Sequence, residues 1–72
     1  MTKEEFTYDV IFNAREMMKK YPELRLGQSI FNYVDKTYDV ARISQFQKGI
    51  DCFYNDDNIS DFIDTCYELL SQ

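Results

Sequence analysis

The sequence contains no histidine and no tryptophan, a single proline and two glycines. Without histidine, neither a Ser-His nor a Cys-His nucleophilic pair can be assembled, and the commonest ligand for zinc and other transition metals is missing. Cysteine is scarce as well. Cys52 and Cys66 are separated by thirteen residues, form no C-x-x-C pair, and are expected as free thiols rather than as a disulfide. No run approaches the ~18 consecutive apolar residues of a membrane span. The polar opening Met1-Thr2-Lys3-Glu4-Glu5 also lacks the basic-then-apolar layout of a signal peptide. A cytoplasmic protein with no membrane partner is the expectation. No residue is assigned a catalytic, cofactor-binding or metal-ligating role. An enzyme is the least favoured class, because 72 residues seldom enclose a substrate pocket of roughly 300 Å³ or more without oligomerising.

What is present is an ordinary globular composition, 44% hydrophobic and 29% charged, with an excess of aromatic rings: six Phe and six Tyr. The length allows one small helical domain, 1–72. A fold of this size leaves roughly 40% of the unfolded chain's surface exposed, so a compact helical core or a partner chain must stabilise it.

Thr2 and Glu5 form a T-x-x-E capping box. Phe6, Val10, Ala14, Met17, Met18 and Tyr21 then recur on one arc at 3.6-residue spacing, with Ile11 on its edge. Pro22 pushes the residue before it out of the helical region, so the first helix is predicted over about 2–21. Ile30, Phe31 and Val34 mark a second over about 26–36. Asp39 reads as the N-cap of a third over about 39–48, with Val40, Ile43, Phe46, Gln47 and Ile50 on one side. Gly49 can stop that helix at C′, which leaves at most one short extended segment near 51–54; one longer helix through residue 54 is the alternative. Asn55-Asp56-Asp57-Asn58 reads as a turn and capping cluster. Ile59, Phe62, Ile63, Cys66, Leu69 and Leu70 define a last helix over about 58–70. The fold class is therefore all-α, a compact bundle of three or four helices.

Charge is unevenly placed. Through Gly49 there are eight basic and seven acidic residues, whereas from Ile50 onward there are six acidic residues and no basic ones. Asp57, Asp61, Asp64 and Glu68 follow one another at spacings of 4, 3 and 4, which makes one carboxylate stripe along the last helix, roughly 17 Å long. A solvated outer face is the ordinary reading of such a stripe; contact with a basic partner is the functional one. A calcium loop beginning at Asp56 fails, because Asp61 stands where the turn glycine is needed and Tyr67 where the bidentate Glu belongs.

The aromatic excess divides. Phe6, Phe31, Phe46, Phe62 and Tyr21 fall on apolar stripes. Tyr8 and Phe12 lie away from the first stripe, on the side shared with Arg15 and Lys19, and Tyr33 and Tyr38 are off the second. Aromatics beside arginine are the composition of interface hot spots. They also stack on single-stranded bases, but a surplus of one basic residue in the first 49 does not support a phosphate-binding groove. Tyr8, Phe12, Arg15 and Lys19 are thus a candidate partner-binding surface, and a homo-oligomer is expected.

The run from Gln28 to Gly49 also invites comparison with a helix-turn-helix, with Arg42 and Lys48 as the cations of the recognition helix. Asn32 replaces the small residue expected in the first helix, and Asp35-Lys36-Thr37-Tyr38 lacks the turn glycine. A nucleic-acid-binding regulator is the alternative function, and nucleic acid is the disfavoured partner.

Pro22-Glu23-Leu24-Arg25-Leu26-Gly27-Gln28 and the later Phe53-Tyr54-Asn55-Asp56-Asp57 resemble a pattern in short bacterial and phage-borne proteins to which no activity is attached. The resemblance covers about the last fifty residues, with a longer middle segment here. It implies no chemistry; a phage-borne inhibitor of a host system is the role it suggests. In physical terms, Gly27 lets the second helix approach a neighbour, and Arg25 can pair with Asp56 or Asp57. Arg25 and Gln28 either pin a loop or grip an anion at the second helix's N-terminus. The reading as a whole is a small acidic protein-interaction module, self-associating, without enzymatic activity or cofactor, whose partner is a protein and is basic if it docks on the stripe.

Overall fold

Thr2 starts the fold. In the structure, a computed structural model describing all of Met1–Gln72, the Thr2 hydroxyl accepts the Glu5 amide at 3.1 Å and the Glu5 carboxylate accepts the Thr2 amide at 2.7 Å. These two bonds satisfy donors that the first turn of a helix leaves open. From this cap α1 runs over Lys3–Lys20, then α2 over Leu26–Thr37, α3 over Ala41–Gln47 and α4 over Ile59–Leu70, the last preceded by a single 3-10 turn at Asp56–Asn58. The protein is an all-α bundle of four helices with no strand, 34 × 24 × 20 Å in extent.

The α1 stripe of Phe6, Val10 and Ala14 is fully buried, and it packs mainly against α2. Across that contact lie Ile30, Phe31 and Val34, with Phe62, Ile63 and Cys66 of α4 closing the core. Phe31 stacks on Phe62 at 5.6 Å between ring centres, and Phe6 meets the edge of Tyr38 at 5.1 Å. Tyr67 of α4 donates its hydroxyl to the Met1 carbonyl at 3.2 Å, tying the two chain ends together.

Gly49 does break the chain: its φ of 70° lies in the left-handed region that favours glycine. Residues 50–55 that follow are neither helix nor strand. Asp51 accepts the Phe53 amide at 2.8 Å and turns the segment sharply, in place of the extended piece expected near 51–54.

The third helix departs most from expectation. Asp39 is not its N-cap; it takes φ 60°, and Val40 occupies the cap position. The helix therefore begins two residues late, and its buried side carries Ala41 and Ser44 rather than Phe46, which is 75% exposed. Hydrogen bonding is what admits Ser44 to the interior. Its hydroxyl donates to the Ile50 carbonyl at 2.6 Å, and its own carbonyl accepts the Ile50 amide at 3.0 Å. Tyr21, expected in the core, is also exposed, because α1 ends at Lys20.

Candidate functional site

Arg25 and Gln28 fall in one region of the molecule and Tyr8, Phe12, Arg15 and Lys19 in another, and the two differ in kind. The first is the N-terminus of α2. Its N-cap is Arg25, a side chain with no acceptor atom, so the open amides of the first turn must be satisfied from elsewhere. Gln28 folds back to accept the Arg25 amide at 3.0 Å. The Gly27 amide donates to Asp56, twenty-nine residues further along, at 3.2 Å. The same Asp56 oxygen accepts the Arg25 guanidinium at 2.9 Å, and the other arm of Arg25 donates to the Phe53 carbonyl. The Cys52 thiol donates to the Gly27 carbonyl at 3.2 Å. Gly27 is buried under this arrangement, and a Cβ there would run into the Cys52 carbonyl oxygen and the Asp56 carboxylate.

Arg25 and Gln28 thus stand at a helix N-terminus that holds an anion, as electrostatics favours. The anion is the chain's own Asp56. Residues 22–28 and 53–57 meet at this point, with Arg25 and Gly27 on one side and Phe53 and Asp56 on the other.

A polar cluster on the inner side of α1 absorbs two of the leftover tyrosines. Tyr33 and Tyr38 both donate their hydroxyls to one Asp9 carboxylate oxygen, at 2.7 and 2.5 Å, while Asn13 donates to the other at 3.0 Å. Both rings are half-buried against the core. Burial, with the Asp9 carboxylate in second place, pushes both phenols above their usual value, Tyr38 furthest. Lying off the apolar stripe therefore does not make them free surface: amphipathic rings pack their faces and give their hydroxyls to a half-buried acceptor.

The second region is the outer face of α1. Tyr8 is 69% and Phe12 49% exposed, and their rings lie nearly parallel, 5.7 Å apart. Arg15 is exposed beside them and forms no ion pair, while Lys19 reaches Glu16 at 2.7 Å. Shallow grooves flank the face, one lined by Thr7, Ile11 and Arg15 with the two rings, the other by Arg15, Met18, Lys19 and Leu26. The four residues Tyr8, Phe12, Arg15 and Lys19 are thus brought together as one continuous strip. Ile11 belongs with them, although the sequence reading leaves it out. It is half-buried and reaches the surface between the rings and the core, and its place on the edge of the apolar arc is the signal that could have found it.

The carboxylate stripe is less uniform than its spacing suggests. Asp64 is bound to Lys3 of α1 at 2.6 Å, which raises the Lys3 ammonium pKa chiefly through that hydrogen bond. Asp57, Asp61 and Glu68 are exposed and carry no cation. No three cysteine, aspartate or glutamate side chains converge as a metal site. On α3, Arg42 lies 3.4 Å from Asp35, and the left-handed Asp39 takes the place a turn glycine would fill. Cys52 and Cys66 are free and buried, and burial pushes both thiols up to about 12. They are protonated at neutral pH and so are poor nucleophiles.

No helix is long and apolar enough to cross a membrane. Comparison with protein-family models, with curated proteins and with solved structures yields no match.

Proposed function

We propose that this chain is a non-enzymatic protein-interaction module that docks through the outer face of α1. The observation that carries this reading is the stacked, exposed Tyr8–Phe12 pair beside an unpaired arginine. Singly exposed apolar side chains are normal on any protein surface. Two rigid rings side by side with Arg15 form a contiguous anchor of the residue types enriched at binding hot spots. The remaining exposed carboxylates of the stripe, Asp57, Asp61 and Glu68, give a basic partner a second place to rest.

The reading is tested by Tyr8→Gln and Phe12→Gln in one chain, used as bait beside the wild type in quantitative affinity capture. Partners that bind the wild type are expected to be lost from the double variant while its melting curve stays in place. Retention of every partner by a folded double variant removes the α1 face from the function. If Asp57→Lys and Asp61→Lys then abolish the same capture, the stripe takes its place.

A further inference from the structure

The outer face of α1 has a regularity that its exposure alone does not require. Glu4, Tyr8, Ile11, Phe12, Arg15 and Lys19 fall within an arc of about 100° on a 3.6-residue helix. Their order along the axis is acidic, aromatic, apolar, aromatic, basic, basic. The set is its own complement when reversed: position i is matched by position 23 − i, pairing Glu4 with Lys19, Tyr8 with Arg15, and Ile11 with Phe12. Glu4, Arg15 and Lys19 are all exposed; neither Glu4 nor Arg15 has an ion-pair partner within the chain, and Lys19 has only Glu16 of the same helix at 2.7 Å, an exposed pair that costs little to exchange.

We infer that the occupant of this face is a second copy of the same chain, with the two α1 helices packed antiparallel about a two-fold axis passing between Ile11 and Phe12. This rests on the α1 face being a docking surface, as proposed above, and adds what docks there. A two-fold interface must be self-complementary, each contact occurring twice. Antiparallel pairing meets that condition: Glu4 of one copy faces Lys19 of the other at both ends of the seam. Each Tyr8 ring receives the Arg15 guanidinium of its neighbour, a cation–π contact. Ile11 and Phe12 close the centre. Parallel pairing would instead set Glu4 on Glu4 and Arg15 on Arg15.

Charge elsewhere on the molecule favours this face over α4 for self-contact. The net −5 of the chain arises from residue 50 onward, where no basic residue stands, so two copies meeting through α4 would place like charges together. The α1 strip is close to neutral. The seam spans roughly 22 Å from Glu4 to Lys19 at 1.5 Å per residue. One helix pair of that length falls at the lower end of specific interface areas, so a reversible, micromolar dimer is expected.

The test is sedimentation velocity on the full chain from about 0.5 µM to about 500 µM, a range that brackets an affinity of that order. It compares the wild type, Glu4→Lys, Lys19→Glu, and an equimolar mixture of the two variants. The wild type should dimerise with rising concentration. Each single variant should weaken the dimer roughly tenfold, since the axis counts every reversed contact twice. The mixture should recover wild-type association, because the two substituted side chains then face each other with opposite charge at one end of the seam. At the other end, the unaltered Glu4 of one variant meets the unaltered Lys19 of its neighbour. Melting curves of both variants check that each is folded.

A wild type that stays monomeric throughout the range overturns the second copy as occupant, yet leaves the docking surface to be judged by the Tyr8 and Phe12 capture experiment. A dimer indifferent to both reversals overturns the seam, and a mixture that fails to recover overturns its antiparallel sense.

Discussion

At the start of α2, strong polar groups are matched inside the chain; along the outer face of α1, Glu4 and Arg15 are matched by nothing in it. Both regions hold an arginine, and the contrast between the two is instructive. Arg25 is fixed by Asp56 and the Phe53 carbonyl and completes a helix terminus whose own cap residue has no acceptor. Arg15 lies beside two exposed rings with its guanidinium free of any carboxylate. A charged residue within a distinctive sequence segment is thus matched inside the chain, while one in an ordinary helix is left without a partner there. Side chains paired within the chain have fewer groups left for a partner, which separates the internally matched region of the molecule from the face proposed to bind.

The largest way to break the closed region is alkali. Burial holds the Cys52 and Cys66 thiols protonated up to about 12 against an ordinary 9.0, so the unfolded chain ionises first. Their contribution to stability is complete below pH 9.0, declines above it, and is gone as pH passes about 12. The slope is about 1.4 kcal/mol per pH unit for each group. The raised phenols of Tyr33 and Tyr38 act with the same sign. Far-UV circular dichroism with tyrosinate absorbance should show cooperative unfolding within that window, and a helical signal unchanged at pH 12 would contradict it.

Gly27→Ala comes next. The added methyl meets the Cys52 carbonyl oxygen and the Asp56 carboxylate. The gain in helix propensity of about 1 kcal/mol is outweighed, for a net loss of about 2 kcal/mol. Urea denaturation measures it, and a variant as stable as the wild type would show that α2 can shift away from the loop. Asp56→Ala should cost about 1 kcal/mol by the same measurement: it removes the acceptor for Arg25 and for the Gly27 amide, but the ion pair is 43% exposed on each side and water screens it.

The remaining effects are small, and one has the opposite sign. The Ser29 hydroxyl is fully buried with no hydrogen-bond partner in the protein, so Ser29→Ala should stabilise by about 0.5 kcal/mol. A loss of stability in its place would reveal a partner for that hydroxyl. Tyr8→Gln should move the urea midpoint least of all, by the equivalent of about 0.5 kcal/mol or less, as for an ordinary surface position. A larger loss would mean that the outer rings belong to the fold after all, erasing the contrast with α2.

Much of the architecture is legible wherever a helix is long enough for its stripe to have a definite phase. Over the eighteen residues of α1 and the twelve of α4, the apolar period, the Thr2–Glu5 box and Pro22 agree, and the ends fall within about a residue or two of expectation, the usual scatter of helix boundaries. Gly27 as a point of close approach can also be read, as can Asp56 as one of two partners for Arg25 and a break at Gly49 as one of two courses for the chain; the structure selects within each pair.

The seven-residue α3 is different. Two turns do not fix a phase, and its buried side is built from Ala41 and Ser44, which hydrophobicity does not mark. Pattern alone consequently puts Phe46 inside. Tyr33 and Tyr38 escape the pattern for another reason: their position depends on Asp9, twenty-four and twenty-nine residues away, and no local spacing encodes such a partner. The Tyr8–Phe12 strip shows in the sequence because the apolar stripe of α1 has no use for it. The matching of Glu4 with Lys19, in contrast, emerges only once the structure shows that Glu4 has no partner in the chain and that Lys19 is held by nothing but the exposed Glu16 of its own helix.

The division between a closed α2 terminus and an open α1 face is tested most directly by backbone amide NMR spectra recorded over a concentration series of the wild-type chain. Shifts that grow with concentration should trace the outer positions of α1 from Glu4 to Lys19, while the amides of Arg25, Gly27 and Asp56 stay fixed. Shifts centred on Arg25, Gly27 and Asp56, or on Asp57, Asp61 and Glu68, with α1 unmoved, would contradict it.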